Sequence, residues 1–425
     1  MSKITAIVLA AGLGTRMKTN LPKVLHEVGS RTIFDRIILN IKATGIDEII
    51  AVVGYKSEEI EKLYSGDITF VKQTELLGSG DALKRAIKAL GGESENLLVT
   101  CGDTPLIKSE TFKRILETHK KEKAACTVLT SIVDDPFSYG RIIRNDEGEI
   151  ERITEEKDLT ENEKKITEIN TGTYCFRRED AEKFISEIQI NEKKKEFYLT
   201  DIIDILKKEE KKVVSEACSK GEELGVNSRK DLANANKVIN NMSLEKIMES
   251  GVTIIDPDTT RIDESAVIGK DTVIFSNTVI EKNVTVGGNC KIGPFARLRP
   301  GTKIDENVEI GNFVEINRSV IGNGTRIKHH TYLGDTIVGK NANIGAGTIT
   351  ANYDGKEKHR TKIEDGAFIG VGAILIAPVT IEKNAQVGAG SVITKNKVVP
   401  KGETWAGVPA RSIVELRSEK GTKGK

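Results

Sequence analysis

The sequence predicts an α/β domain built on a parallel sheet, followed by a parallel β-helix of hexapeptide repeats. Three observations predict it. An apolar, β-branched run at 4–10 feeds straight into Gly12-Leu13-Gly14-Thr15-Arg16-Met17. Strand-like and helix-like segments then alternate to about residue 228, the mark of a parallel sheet with helices on both faces. Beyond 251, aliphatic residues recur every six positions, which is neither the 3.6 of a helix nor plain strand alternation.

A glycine turn after the first strand sits where α/β sheets bind ligands, at the carboxyl end of the strands. Gly12 and Gly14 let backbone N–H groups approach a phosphate with no Cβ in the way. Arg16 and Lys23, the latter in Leu21-Pro22-Lys23, add positive charge suited to a polyphosphate. Met17 stands where a dinucleotide fingerprint needs its third glycine, and no Gly-Lys-Ser/Thr follows, so neither common phosphate motif is present. A signal peptide is the rival reading of Lys3 and the apolar run; the shortness of the run and its Gly-Thr-Arg ending oppose it.

The segments that follow read as a helix over 33–43, a strand at Glu48–Val53, a helix over 57–64, a strand at 68–71, a helix over 80–89 and a strand at Asn96–Cys101. Residues 1–228 therefore form the first domain. Residues 229–250 read as a linking helix, with Leu232, Ala235, Ile239 and Met242 on one stripe and Asn227-Ser228 as its cap.

In the second domain, 251–410, the residues Ile262, Ile268, Ile274, Ile280, Val286, Ile292, Leu298, Ile304, Ile310 and Ile316 stand six apart. The phase slips by one residue and resumes at Ile321, Ile327 and Leu333, and again at Val338 and Ile344. After an interruption at 350–361 it runs on through Ile363, Ile369, Leu375, Ile381, Val387 and Ile393. Each six-residue side of a β-helix places one aliphatic inside. The Gly, Asn and Asp that follow suit corners in the left-handed conformation. Residues 411–425 read as a polar, mobile tail.

A chain of 425 residues with 30% charged residues and a net charge of +1 has no single-sign field for nucleic acid or a membrane surface. It holds no apolar run of membrane-spanning length. The five scattered cysteines lack metal spacing and read as reduced thiols, hence a cytoplasmic protein. Aromatics at 4% fit a core of small aliphatics.

Two further groups carry chemistry. Asp103, at the end of the Asn96–Cys101 strand, can hold Mg²⁺ on nucleotide phosphates, and Asn227 offers an amide oxygen as a second ligand. Lys328-His329-His330-Thr331-Tyr332-Leu333-Gly334-Asp335 breaks the small-residue texture of the repeats. Imidazole there can serve as a general base near neutral pH.

The stretch 9–17, Leu-Ala-Ala-Gly-Leu-Gly-Thr-Arg-Met, with Leu21-Pro22-Lys23 resembles the signature of the sugar-1-phosphate nucleotidylyltransferases. The six-residue period resembles the left-handed β-helix of the hexapeptide acyltransferases. Val71-Lys72-Gln73, Leu77-Gly78-Ser79-Gly80, Tyr139-Gly140-Arg141, Glu155-Glu156-Lys157-Asp158, Glu168-Ile169-Asn170-Thr171-Gly172 and Glu196-Phe197-Tyr198-Leu199-Thr200-Asp201 follow in order. Together they resemble one family over nearly the whole chain, the bifunctional N-acetylglucosamine-1-phosphate uridylyltransferases/glucosamine-1-phosphate N-acetyltransferases.

The resemblance implies a Rossmann-like nucleotidylyltransferase domain and a left-handed β-helix, a homotrimer with acetyl sites between subunits, and Mg²⁺, UTP and acetyl-CoA as cofactor and co-substrates. In the first domain it implies that Leu9, Ala10, Ala11, Gly12 and Lys23 bind the nucleotide and that Gln73, Gly78 and Ser79 read the uracil. Gly140, Glu155 and Asn170 would hold the sugar, Asp103 with Asn227 the Mg²⁺, and Arg16 with Lys23 would neutralise charge in catalysis. In the second domain His329 would be the base. Arg299, Tyr332, Asn343 and, from a neighbouring subunit, Lys358 would bind the sugar phosphate. Asn352 and Tyr353 would meet the amine and acetyl group, and Ala346 and Ala389 would line the acetyl-CoA groove. Three positions depart from the family pattern: Asn317 replaces a phosphate-pairing lysine, Val371 a coenzyme-contacting serine, and Gly407 an arginine. The rival function is a single-activity nucleotidylyltransferase whose β-helix serves assembly or regulation; it has no need of His329 with Tyr332.

Overall fold

The computed structural model describes residues 3–64, 66, 68–192 and 195–414. The polar tail expected from 411 lies outside the described residues beyond 414, and its first positions belong to the strand Ala410–Ser412. The chain forms two compact units that meet between Val238 and Ile239, within the long helix Arg229–Glu249.

The first unit is organised around the strand Ile4–Ala10. It lies in parallel between Glu48–Val53 and Asn96–Cys101, and its Ala6, Ile7 and Val8 are fully buried, as a central strand covered on both faces requires. The sheet order is Val213–Ala217, Cys126–Ile132, Glu168–Arg177, Asn96–Cys101, Ile4–Ala10, Glu48–Val53 and Thr69–Lys72. The sheet is mixed, which corrects the parallel expectation: Glu168–Arg177 runs antiparallel to both neighbours. It also pairs with the hairpin of Arg141–Arg144 and Ile150–Thr154, and a strand reached that way needs no crossover helix. Its register shifts between Asn170 and Tyr174, around Gly172 at φ +77°. Such a bulge re-aims side chains.

Helices form where the apolar spacing placed them, at Ile33–Lys42, Ser57–Leu63 and Ser79–Lys88. Thr32 caps the first by accepting the Asp35 N–H at 3.0 Å. The cap of the long helix is reciprocal. The Asn227 and Ser228 N–H groups and the Ser228 hydroxyl all donate to Asp231 Oδ2, at 3.1, 2.8 and 2.9 Å. The expected stripe on that helix holds at Ala235 but not at Met242, which is 37% exposed.

The second unit is a coil of three parallel sheets. Every aliphatic of the six-residue series is buried in one continuous core. Coils pair residues eighteen apart, as Ile274 with Ile292, until the slip shortens them to seventeen, as Ile304 with Ile321. The interruption lengthens one coil, so that Val338 pairs with Ile363. Leu244 and Ile247 of the helix close one end of this core, and Asn240 donates to Thr260 O and accepts from Ile262 N. At the other end Thr404–Gly407 and Ala410–Ser412 form an antiparallel pair, with Trp405 packed on the core.

Corners carry left-handed Asp271, Asn277, Asn283, Asn289, Asn307 and Asn341, as the turn chemistry predicts. Phe295, Phe313, Arg318 and His330 also stand at positive φ. Bulky side chains there cost about 1–3 kcal/mol each, and the strain gathers where the expected acetyl-transfer residues lie.

Candidate functional site

In the first unit, parallel pairing of Leu9 with Cys101 puts the ends of two strands side by side. Gly102 N–H donates to Leu9 O at 2.8 Å, and a Cβ on Gly102 would lie 2.8 Å from that of Ala10. The loop before the long helix joins them through Val226 N–H on Asp103 O at 2.8 Å. The result is a convergence of three residues from distant parts of the chain. Lys23 Nζ donates to Asp103 Oδ2 at 2.5 Å and to Asn227 Oδ1 at 3.1 Å. The two oxygens named for Mg²⁺ thus face one cation, the ammonium. A carboxylate with an amide oxygen is also the hard donor set that suits Mg²⁺.

A cavity of about 510 Å³ adjoins this cluster, lined in part by Leu9, Ala11, Gly12, Gln73, Gly78 and Ser79. An added Cβ on Gly12 would meet no protein atom within 4 Å, so the protein's own packing does not demand glycine there. Gly14 is different. It sits at φ +61°, and its Cβ would press on Lys23 Cβ at 2.9 Å. Gln73 is buried, with Nε2 donating to Gly78 O at 3.0 Å and to Asp81 Oδ2 at 2.8 Å. The Ser79 hydroxyl accepts the Leu199 N–H at 3.1 Å, which ties Leu-Gly-Ser-Gly to the Glu196–Asp201 motif. Ala10 is buried in the strand end. Arg16 is exposed on the turn Thr15–Met17 and is not among the residues lining this cavity.

Gly140, Glu155 and Asn170 come together. Asn170 N–H donates to Gly140 O at 2.9 Å, and a Cβ on Gly140 would lie 3.7 Å from Glu155 Oε2. Two residues given no role in the sequence reading hold them. Thr200 Oγ1 donates to Glu155 Oε1 at 2.9 Å, and Asn170 Nδ2 donates to Tyr174 Oη at 2.7 Å. Burial pushes the Glu155 carboxyl up, with Asp201, Asp158 and Glu196 adding to the shift. Cys101 also lines the cavity, and burial pushes its thiol up to about 12, which disfavours the reactive thiolate.

In the second unit, strand pairing stacks the expected residues over successive coils. His329 pairs with Asn312, Tyr332 with Glu315, and Asn343 with Arg326. His329 Nδ1 lies 2.8 Å from Asn312 Oδ1. Arg299 donates to Glu315 Oε1 at 2.8 Å. A Cβ on Gly334 would sit 2.6 Å from Tyr332 Oη and 2.7 Å from Asn352 Nδ2, so glycine leaves the room that both groups occupy. Asn352 Nδ2 donates to Asp335 Oδ2 at 2.5 Å, and Arg318 clamps the same carboxylate at 2.7 and 2.8 Å. The Arg318 guanidinium holds the Asp335 carboxyl below its usual range. Asn317, in the lysine position, is 5% exposed.

Ala346, Val371 and Ala389 form successive rungs, through Gly372 N–H on Ala346 O and Gly390 N–H on Val371 O, both 2.7 Å. Tyr353 and Lys358 bridge across the 352–360 loop, both exposed. That loop is pinned by Asp354, which accepts from His359 Nε2 at 2.6 Å and Lys395 Nζ at 3.2 Å. Asn312 and Arg318 went unnoticed in the sequence, and Asp335 was named there without a role of its own. Coil arithmetic could have found them, since they lie seventeen residues from His329, Asp335 and Asn352 respectively.

Three family models match: a MobA-like NTP transferase domain over residues 6–163, a GMPPB C-terminal domain over 281–353, and bacterial transferase hexapeptide repeats over 360–395. The bifunctional protein GlmU of Halalkalibacterium halodurans is 42% identical, over 93% of this chain and 94% of its own length. The chain belongs to the bifunctional GlmU family. Members from Carboxydothermus hydrogenoformans and Heliobacterium modesticaldum are 41% and 42% identical over 92% and 95% of this chain, and 95% of their own lengths. The fold is accordingly a Rossmann-like nucleotidyltransferase domain followed by the left-handed β-helix of hexapeptide transferases. Among the described residues no helix is long and apolar enough to cross a membrane, and all five cysteines are free.

Proposed function

We propose that the chain performs two consecutive reactions of UDP-N-acetylglucosamine synthesis. The β-helix acetylates glucosamine-1-phosphate with acetyl-CoA. The first domain joins the resulting N-acetylglucosamine-1-phosphate to the UMP of UTP and releases pyrophosphate. The observation that carries this reading is the meeting of Lys23, Asp103 and Asn227 beside the glycine loop.

In the first domain a sugar phosphate oxygen attacks the α-phosphorus of UTP in line, forming the new P–O bond as pyrophosphate leaves. The step needs positioning and charge neutralisation more than covalent help. Leu9, Ala10, Ala11 and Gly12 cradle the nucleotide, Gln73, Gly78 and Ser79 read its base, and Lys23 with Arg16 balances the phosphate charge. Gly140, Glu155 and Asn170 orient the sugar. Asp103 and Asn227 would hold Mg²⁺, which when bound neutralises phosphate charge.

In the β-helix the glucosamine amine attacks the thioester carbonyl. The C–N bond forms, the C–S bond breaks, and His329 takes the amine proton and returns it to the departing thiolate. Arg299, Asn317, Tyr332, Asn343 and Lys358 hold the sugar phosphate. Asn352, Tyr353, Ala346, Val371 and Ala389 hold acetyl-CoA. The exposure of Ile349 and Ile374, paired on adjacent strands of one sheet and 45% and 37% exposed, supports a homotrimer buried along that face, with Lys358 given to a neighbouring site. Free thiols support a cytoplasmic setting.

The test is incubation with glucosamine-1-phosphate, acetyl-CoA, UTP and Mg²⁺, omitting each in turn, with products identified by mass. Each omission should stop the sequence at its own step. Uridylyl transfer without any acetyl transfer would favour the single-activity alternative.

A further inference from the structure

One residue on the adjacent coil faces His329 directly. Asn312 and His329 are direct partners on adjacent parallel strands. Asn312 Oδ1 stands 2.8 Å from His329 Nδ1, while the Asn312 carbonyl accepts the His330 N–H at 3.0 Å. Asn312 thus grips two consecutive residues, one by side chain and one by backbone. The rest of the corner is held just as closely. Thr331 Oγ1 donates to His329 O at 2.8 Å. His330, at φ +44°, stacks its ring 5.0 Å from Phe313, which stacks 5.2 Å from Phe295.

A neutral imidazole has one N–H and one lone pair. An amide oxygen facing Nδ1 requires the proton there, which leaves the Nε2 lone pair to receive the amine proton. We propose that Asn312 is the positioning residue of the acetyl-transfer reaction: it sets the tautomer and orientation of His329. The inference rests on His329 being the base. A carboxylate at this position would favour imidazolium and hold the base in its spent form. Both carboxylates on the packed strands are ion-paired. Glu309, on the strand of Asn312, is paired with Lys328 at 2.7 Å. Arg326 lies on the strand of His329, and the strand beyond presents the neutral Asn343. On the next sheet Glu315, beside Tyr332, is paired with Arg299 at 2.8 Å.

The experiment uses the full-length protein with Asn312→Asp, Asn312→Leu and His329→Ala. Acetyl-transfer kcat/KM is followed from pH 5.5 to 9 by thiol release, and uridylyl transfer on supplied N-acetylglucosamine-1-phosphate reports intact protein. N312D should move the acid limb up by about one pH unit or more and recover near wild-type rate at high pH. N312L should lose about 10- to 100-fold at every pH with the limb near its wild-type place. An N312D profile that overlays the wild type, or N312L within threefold of it, would overturn the inference. H329A distinguishes the two layers: if it keeps full acetyl transfer the base assignment itself fails, whereas a dead H329A with unaffected Asn312 variants removes only the role of Asn312.

Discussion

Gly14→Ala tests how the glycine loop positions its lysine. Gly14 is at φ +61°, and an added methyl would lie 2.9 Å from Lys23 Cβ and 3.6 Å from Cγ. The left-handed conformation costs alanine about 1–2 kcal/mol. Roughly 0.4–1 kcal/mol returns through the less flexible unfolded chain. The steric term cannot relax at a side-chain tip, because Cβ is fixed to the turn Lys23–Leu25. That turn must shift, and it carries with it the ammonium that spans Asp103 and Asn227 at 2.5 and 3.1 Å. A displacement of about an ångström at a positioning group is worth on the order of 10²-fold in rate. G14A should therefore cost about 1–2 kcal/mol in urea denaturation of the first domain and about 100-fold in kcat/KM for pyrophosphate release. Acetyl transfer by the same preparation should be unchanged. Gly12→Ala is the control, since its methyl meets no protein atom. G12A should fold within about 0.5 kcal/mol of wild type and lose uridylyl transfer because ligand occupies that space. G14A within threefold of wild-type rate, or G12A as destabilised as G14A, would refute the steric reasoning.

Asp103→Ala should abolish pyrophosphate release while sparing acetyl transfer, because the two reactions are assigned to separate units; wild-type uridylyl transfer persisting in excess chelator would contradict the Mg²⁺ assignment. Asp201 is pushed up to about 6, first by burial and then by Asp204 and Asp158. The folded form thus binds its proton more tightly than the unfolded, and stability falls as pH rises from about 4 to 6. Asp201→Asn should therefore raise the unfolding free energy measured in urea at pH 8, by about 1 kcal/mol after allowing for partial solvent screening, and leave it unchanged at pH 3.5; a gain equal at both pH values would exclude the charge explanation. Ile310→Ala, at a core position only 1% exposed, should cost about 2–5 kcal/mol, with hydrogen exchange rising in the coils that contact it rather than along the whole β-helix.

The β-helix core was legible because its register is local. A six-residue side decides for itself which residue points inward, so Ile262 through Ile393 are buried as the spacing demands. The same holds for Glu48–Val53 and Asn96–Cys101, whose apolar runs mark their own limits. Local signals did less where a neighbour decides. Met242 matches the stripe of the long helix but stays exposed, and Leu244 and Ile247 are buried instead. The antiparallel course of Glu168–Arg177 follows from its partners, not its composition. Alternation along a strand would turn His330 away from His329; both are exposed, because the strand ends at His329 and His330 occupies a left-handed corner on Phe313.

The sequence by itself determined the two architectures, the family and the residue types each reaction needs, since motif and period are properties of neighbours in the chain. Only the tertiary structure decided that Lys23, Asp103 and Asn227 share one point, that Asp335 joins Arg318 to Asn352, and that Asn312 faces His329. Those meetings join residues from 17 to 204 positions apart, and chain separations of that kind are closed by strand pairing and loop packing, which no local pattern encodes.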